Sequence, residues 1–372
     1  VVGLSVEPSG MALGVSRGGD GGWRSLAPGD AEVRSLHASE DGGRLATTHA
    51  DGTAAVWSLP SGTRLLRVQA AGKAFTDAAL SPDGGRLATA CDDRTAAVWT
   101  IRPTGTMLAP LDADAPVTGL TFSADGARLA VTTDAAPVRV WDLRERTPPL
   151  ALRGDGAMAP RVQFTPGGAQ VLTLREDGVG VWSARDGARV AWRTADHGDA
   201  VDWSVSADAR VASRLDVRRV AVWRLGDDSA PVELAAVRPS VSRALVSPDG
   251  ALVATLHADH VSIWSATDGR LVATLAGGST SARAITFSPD GTTLLTGDRD
   301  GMVRVSGARS GRLVRTLRGH TEAITALVFS TDGALLATAS VDGAMRLWDG
   351  HAGAPRATLH GHDGEVRSLV FS

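Results

Sequence analysis

The chain has 372 residues, 43% of them hydrophobic, and carries 38 Lys plus Arg against 41 Asp plus Glu for a formal net charge of −3. That length exceeds an ordinary single domain, so two domains or one repeat array is expected. The near-balanced charge supplies no global positive field for nucleic acid, and Cys91, the only cysteine, excludes an intrachain disulfide or a Cys-based metal cluster.

No run of 18 or more apolar residues is present, so no membrane-spanning helix is expected. No signal peptide is visible, and a cytoplasmic protein is the expectation. The chain runs from Val1 to Ser372 and reads as a segment cut from a longer protein. Lys73 is the only lysine. With the Ala and Gly abundance, this points to a GC-rich bacterial source of actinobacterial type.

Tryptophan sets a repeat. Trp57, Trp99, Trp141, Trp182, Trp223 and Trp264 follow one another at steps of 42, 42, 41, 41 and 41 residues. A further 42 lands on Ser306 and another 42 on Trp348, while 42 before Trp57 is Val15. A fixed period in this range is the signature of a repeat architecture.

In chain order, residues 1–27 read as three strands, with Val15 in the Trp column. Eight complete units follow, at 31–70, 71–112, 113–153, 158–198, 199–239, 240–278, 279–318 and 321–361. Within a unit, strand a (Val117 to Phe122) leads to a turn such as Asp125-Gly126, where glycine supplies the positive φ of a tight hairpin. Strand b follows, as in Arg128-Leu129-Ala130-Val131. Strand c ends on the Trp with period-2 alternation, as in Val138-Arg139-Val140-Trp141. A second Gly turn, as in Asp268-Gly269, leads to strand d, Arg270 to Leu275. Residues 365–372 resemble strand a alone.

Four antiparallel strands per unit, with no sustained helical period, predict an all-β fold. Radial packing of four-stranded blades removes the exposed sheet edges, which makes the chain a β-propeller of nine repeat units forming a single domain over 1–372. Strand a at 365–372 is expected to complete the first blade and close the ring.

These residues resemble the WD40-repeat family over essentially the whole chain. Its signature places Gly-His before strand a, Asp in the b–c turn and Trp-Asp at the end of strand c. Gly319-His320, Ser340, Asp342 and Trp348-Asp349 carry the full set in the last complete unit; Trp141-Asp142 and Gly361-His362 carry parts of it. Elsewhere the pattern departs: Trp57, Trp182 and Trp264 are followed by Ser, and Ser306 replaces Trp. The resemblance implies a structural hydrogen-bond tetrad of His320, Ser340, Asp342 and Trp348 rather than the Ser-His-Asp triad that the same residues suggest in isolation.

Other chemistry-like features have structural readings. His360, His362 and Asp363 match none of the strong zinc spacings, and the remaining histidines (His37, His49, His197, His257, His260 and His351) are read as sharing no column. Asp-Gly turns give one carboxylate each, too few for calcium. No phosphate-cradling Gly-rich loop is present. The Trp column is blade core; Trp203 is expected in the core, Trp192 at the periphery, and Trp23 as an exposed contact. No cofactor, metal or enzymatic activity is expected.

Strand a lines the central channel in this architecture. Arg34, Arg283 and Arg367 share a column near its start, and Arg161 and Arg243 share the next. This arginine rim is the candidate binding site for other proteins, through acidic or phosphorylated segments paired by guanidinium forks. Asp77 and Asp202, in the same columns, are the competing partners. The expected role is a non-catalytic protein-interaction scaffold. The alternative is a C-terminal sensing or regulatory module of a larger bacterial signalling protein, fused to a kinase, a signalling ATPase or a protease.

Overall fold

The computed structural model describes residues 2–6, 13–17, 23–26, 33–59, 61–70, 74–101, 106–113, 115–135, 137–145, 148–152, 161–195, 200–216, 219–227, 229–234, 241–276, 282–359 and 369. Among them there is no helix. The strands form one three-stranded sheet (Val2–Val6, Leu13–Arg17, Trp23–Leu26) and eight four-stranded antiparallel sheets. We number these blades 1 to 9 along the chain; blades 2 to 9 span 33–69, 75–112, 117–151, 161–194, 200–233, 243–276, 282–317 and 324–359. Each is a meander in which strands a, b, c and d are neighbours in that order. The pairing expected between residues 365–372 and blade 1 lies outside the described residues, apart from Leu369.

The turn between strands a and b explains the Asp-Gly signal. Gly42, Gly84, Gly126, Gly250, Gly291 and Gly333 all adopt φ between 63° and 71°. The aspartate before each glycine closes the turn from one side: Asp125 Oδ1 accepts the Ser123 hydroxyl at 2.6 Å and the Ala127 N–H at 3.0 Å. Asp332 does the same with Ser330 and Ala334. Blade 6 makes this turn with Ala209 at φ 58°, so the Ser206–Asp208 bond holds the shape without glycine.

Strand b is buried from end to end, as in Leu45, Ala46, Thr47, Thr48 and His49. It lies between neighbouring blades and meets packed side chains on both faces, so it reads as a continuous apolar run rather than an alternation. Its residues are small because blades stack closely: Ala46, Ala88, Ala130, Ala212 and Ala254 are all 2% exposed or less. Strand d is the outer strand, and its starting residues Val190, Leu271 and Leu313 are more than half exposed.

The core is a series of layers between blades. From blade 3 onward each Trp packs toward the preceding blade: Trp141 joins Ala88, Val98 and Leu111 of blade 3, and Trp348 joins Leu295, Val303 and Leu317 of blade 8. Trp57, Trp99, Trp141, Trp182, Trp223, Trp264, Ser306 and Trp348 stand opposite Leu45, Leu87, Leu129, Val171, Ala212, Val253, Leu294 and Leu336 of strand b. Ser306 therefore keeps the Trp column in register, buried at 5% exposure. Trp203 is buried in strand a of blade 6, tilted against Trp223 with ring centroids 5.6 Å apart. Trp192 is half-buried at the periphery, with the Arg175 guanidinium 5.1 Å from its ring. The Trp23 side chain lies outside the described residues.

Candidate interaction site

The strands that end at the d–a and b–c loops gather the predicted hydrogen-bond cluster of blade 9. His320 Nδ1 lies 3.0 Å from Asp342 Oδ2, and its Nε2 lies 2.8 Å from Thr338 Oγ1. The Trp348 indole N–H donates to the same Thr338 oxygen at 3.0 Å. The partners settle the tautomer: Nδ1–H donates to the carboxylate, and Nε2 accepts the threonine hydroxyl. Burial pushes the His320 pKa down from its ordinary value, against the opposing pull of Asp342. At Asp342 burial acts upward but is outweighed by the Thr321 and Ala344 N–H donors and by His320, so its carboxyl lies below the ordinary value.

The tetrad expected from the sequence needs one correction. Thr338, not Ser340, supplies its hydroxyl. Thr338 and Ser340, two residues apart, share a face of strand b, but Thr338 lies nearer Trp348 along the strand, whereas the Ser340 hydroxyl, at the strand end, donates to the Glu322 carbonyl at 2.9 Å. Ser340 instead accepts the Asp342 N–H at 3.2 Å, shaping the b–c turn. Ser340 and His320 are thus not paired, and the residues do not form a Ser-His-Asp triad.

A second correction concerns the histidines. His49 and His257 occupy one column with Ser340, at the end of strand b, opposite or just beyond the start of strand a. Each repeats the chemistry with its own blade: His49 Nε2 lies 2.8 Å from Thr47 Oγ1 and His257 Nε2 lies 2.9 Å from Thr255 Oγ1. Trp57 and Trp264 donate to those same hydroxyls at 3.0 and 2.8 Å. A His–Thr–Trp chain therefore holds blades 2, 7 and 9, with the imidazole coming from strand b in two of them and from the d–a loop in the third. A shorter b–c turn in blade 7 hides the column: His49 is eight residues before its Trp and His257 seven. His260 stacks on His257 at 4.2 Å and 9°, and Asp259 holds it at 2.6 Å. His360, His362 and Asp363 lie outside the described residues; among those described, no group of three metal-ligating side chains is assembled.

Strand a of blades 2, 3, 4, 6, 8 and 9 begins with a β-bulge. Arg34 and Arg283 are the extra residues of two such bulges, so they turn away from the ladder and are exposed. Arg243 opens the short strand a of blade 7 and is exposed too. None of the three guanidinium groups has a hydrogen bond or ion pair with a described residue. Arg161 differs: its Nη1 donates to the Trp203 carbonyl of the next blade at 3.0 Å, which makes it an inter-blade tie rather than a free rim guanidinium. Arg367 lies outside the described residues.

The carboxylates expected to neutralise the rim have other partners. Asp77 accepts the N–H of Ala78 at 2.8 Å and of Leu120, on the next blade, at 3.2 Å. Burial raises its carboxyl pKa. Asp202 accepts the Trp203 N–H at 2.8 Å. The inner edge of strand a has backbone groups without a ladder partner, and these side chains satisfy them. His37 serves the same end through Leu80 N–H, and Ser204 through Val246 N–H.

Four segments, 24–58, 63–100, 269–305 and 311–349, match the family model described as WD domain, G-beta repeat. No curated protein matches. Among solved structures, a eukaryotic initiation factor superposes with TM-score 0.70 at 15% identity, covering 100% of this chain and 98% of that one. The C-terminal WD40 domain of Sif2 gives TM-score 0.56 at 16% identity, covering 83% and 93%. The computationally designed Ika8 protein gives 0.53 at 22%, covering 92% of each. At these identities the structures speak for the fold alone. Among the described residues, no helix is long and apolar enough to cross a membrane. The chain thus carries four matched WD40 repeats toward the two ends of its array, and the blades between them keep the same strand order and Trp register.

Proposed function

We propose that the propeller is a non-catalytic scaffold whose channel mouth captures acidic or phosphorylated segments of partner proteins. WD40 propellers commonly serve as protein-interaction scaffolds. The observation that carries the finer reading is the state of Arg34, Arg243 and Arg283. They are exposed at the start of strand a with no partner among the described residues, while Asp77 and Asp202 are committed to backbone N–H groups. Guanidinium forks pair with carboxylate or phosphate in a bidentate manner, and the loop-bearing face leaves them open to a partner.

The test is a titration of a labelled phosphoserine peptide and its unphosphorylated form against the native chain and an Arg34→Glu, Arg243→Glu, Arg283→Glu variant. The expected result is preference for the phosphopeptide and a loss of about tenfold or more in affinity in the variant, steepest at low salt. Equal binding of both peptides, or no loss in the variant, overturns the reading. Arg161 is left untouched, because its replacement also breaks an inter-blade bond.

A further inference from the structure

The face opposite the arginine rim carries the a–b and c–d turns, and a cleft of about 240 Å³ opens there between blades 8 and 9. Its floor is apolar: Leu295, Val305 and Leu317 from blade 8 and Phe329 and Leu336 from blade 9. Part of the space traces to Gly350. Two residues after the Trp, other blades carry buried side chains, such as Leu59, Ile101 and Leu225. In blade 9 a Cβ at that position would run into the Gly333 carbonyl, so the turn requires glycine and the wall lacks that side chain.

The mouth is acidic. Asp290 of blade 8 and Asp332 of blade 9 both line it, as does Asp349, which is paired with Arg356 at 2.6 Å. Arg315 also lines it, with Nη1 on the His351 carbonyl at 2.6 Å. Asp290 and Asp332 accept only hydroxyl and backbone donors from the described residues. At two of the corresponding turns an arginine closes the aspartate. Arg309, three residues after the Trp column of blade 8, reaches Asp249 of blade 7 at 3.2 Å. Arg144, at the same position in blade 4, reaches Asp125 of its own blade at 3.4 Å. Blade 9 has His351 at that position. The imidazole lies near both aspartates: their carboxyls are held low chiefly by Ser288 and Ser330, with His351 a smaller contributor to each. Two larger clefts, of about 800 Å³ between blades 4 and 5 and about 650 Å³ between blades 5 and 6, have arginine beside their acids, Arg128 with Asp142 at 3.9 Å and Arg210 with Asp208 at 3.8 Å.

We infer that the cleft between blades 8 and 9 is a peptide-binding site that takes one large apolar side chain on its floor and a flanking lysine or arginine against Asp290 and Asp332. The volume falls below the roughly 300–1,000 Å³ of drug-sized ligand pockets, which suits a single side chain. The two aspartates without a guanidinium partner supply the complementary charge, and His351 leaves them open where Arg309 and Arg144, at the same position, close Asp249 and Asp125. This site stands apart from the arginine rim, on the opposite face and with the opposite charge preference.

The experiment uses two labelled peptides, each with one photo-reactive leucine, flanked in one by lysines and in the other by glutamates. The lysine-flanked peptide should bind and cross-link to the segments holding Leu317, Phe329 and Leu336. His351→Arg, which installs the closing cation tolerated in the same column as Arg309, should weaken binding by about tenfold. Asp290→Asn with Asp332→Asn keeps the turn acceptors and should abolish the preference for lysine flanks. The variant with glutamates at Arg34, Arg243 and Arg283 should bind this peptide as the native chain does, so failure of one site is distinguishable from failure of the other. Equal binding of the two peptides, cross-links away from the cleft, or unchanged affinity in His351→Arg overturns the inference.

Discussion

Thr338 illustrates how one hydroxyl couples two strands and a loop. It accepts the Trp348 N–H and donates to His320, so its removal leaves two buried ring nitrogens without partners. Thr338→Val is isosteric, and urea denaturation should show a loss of about 1–3 kcal/mol. Ser340→Ala removes the bond to the Glu322 carbonyl and the longer one from the Asp342 N–H, strands no buried ring nitrogen, and should cost less, on the order of 1 kcal/mol. Equal losses would return Ser340 to the tetrad. The histidines in these chains also set an acid limit. Burial lowers the pKa of His257 and His320 below the ordinary 6.5. The unfolded chain takes up both protons near 6.5 while the folded chain resists them. The stability carried by the neutral rings is therefore complete above that pH and is lost as pH falls through 6.5 toward the depressed folded values. Denaturation midpoints should drop between pH 7.5 and pH 5.5, and less so in His257→Gln.

At the scale of the blade, the joints matter more than the sheets. Arg44, Arg86 and Arg128, at the start of strand b in blades 2, 3 and 4, each reach the turn-glycine carbonyl of the next blade: Gly84, Gly126 at 3.0 Å and Gly168 at 3.3 Å. From blade 5 onward the column holds Gln170, Val211, Leu252, Thr293 and Leu335 instead, and the polar ties between blades come from other places, such as Arg161 and Ser204 of strand a. Arg86→Ala should lower stability by about 0.5–1.5 kcal/mol, read by urea denaturation. The corresponding Gln170→Ala should cost less. The hairpins were legible in the sequence because Asp-Gly turns and period-2 strands act locally. The joints were not, because an arginine at a strand start gives no sign of which carbonyl, about forty residues away, it will meet.

For the whole molecule, Leu369 is informative. It is buried at 6% exposure against Ala337, Ala339, Met345, Leu347 and Leu359 of blade 9. In each preceding pair of blades the same place is taken by strand a of the following blade, as by Leu120 against blade 3 and Leu327 against blade 8. We propose that residues 365–372 act as strand a of one more blade, completing blade 1. Leu369→Ala should cost about 2–5 kcal/mol. Removal of 365–372 should cost more and broaden the unfolding transition, since it also leaves the edge of blade 1 unpaired. A truncated chain that unfolds at the same midpoint would exclude closure by this strand.

The amino-acid order by itself determined the repeat, the four-strand blade, the turn positions and the Trp register, including its continuation through Ser306. Each of these follows from local chemistry: glycine at positive φ, alternation along a strand, and a constant period. Only the tertiary structure decided which hydroxyl completes the buried polar chain, that His49 and His257 share its column, and that Arg161 ties two blades. It also revealed the acid-rimmed cleft between blades 8 and 9. Those outcomes depend on how far along a strand a side chain sits and on what the neighbouring blade presents, and a one-residue change in turn length is enough to conceal the histidine column from a linear reading.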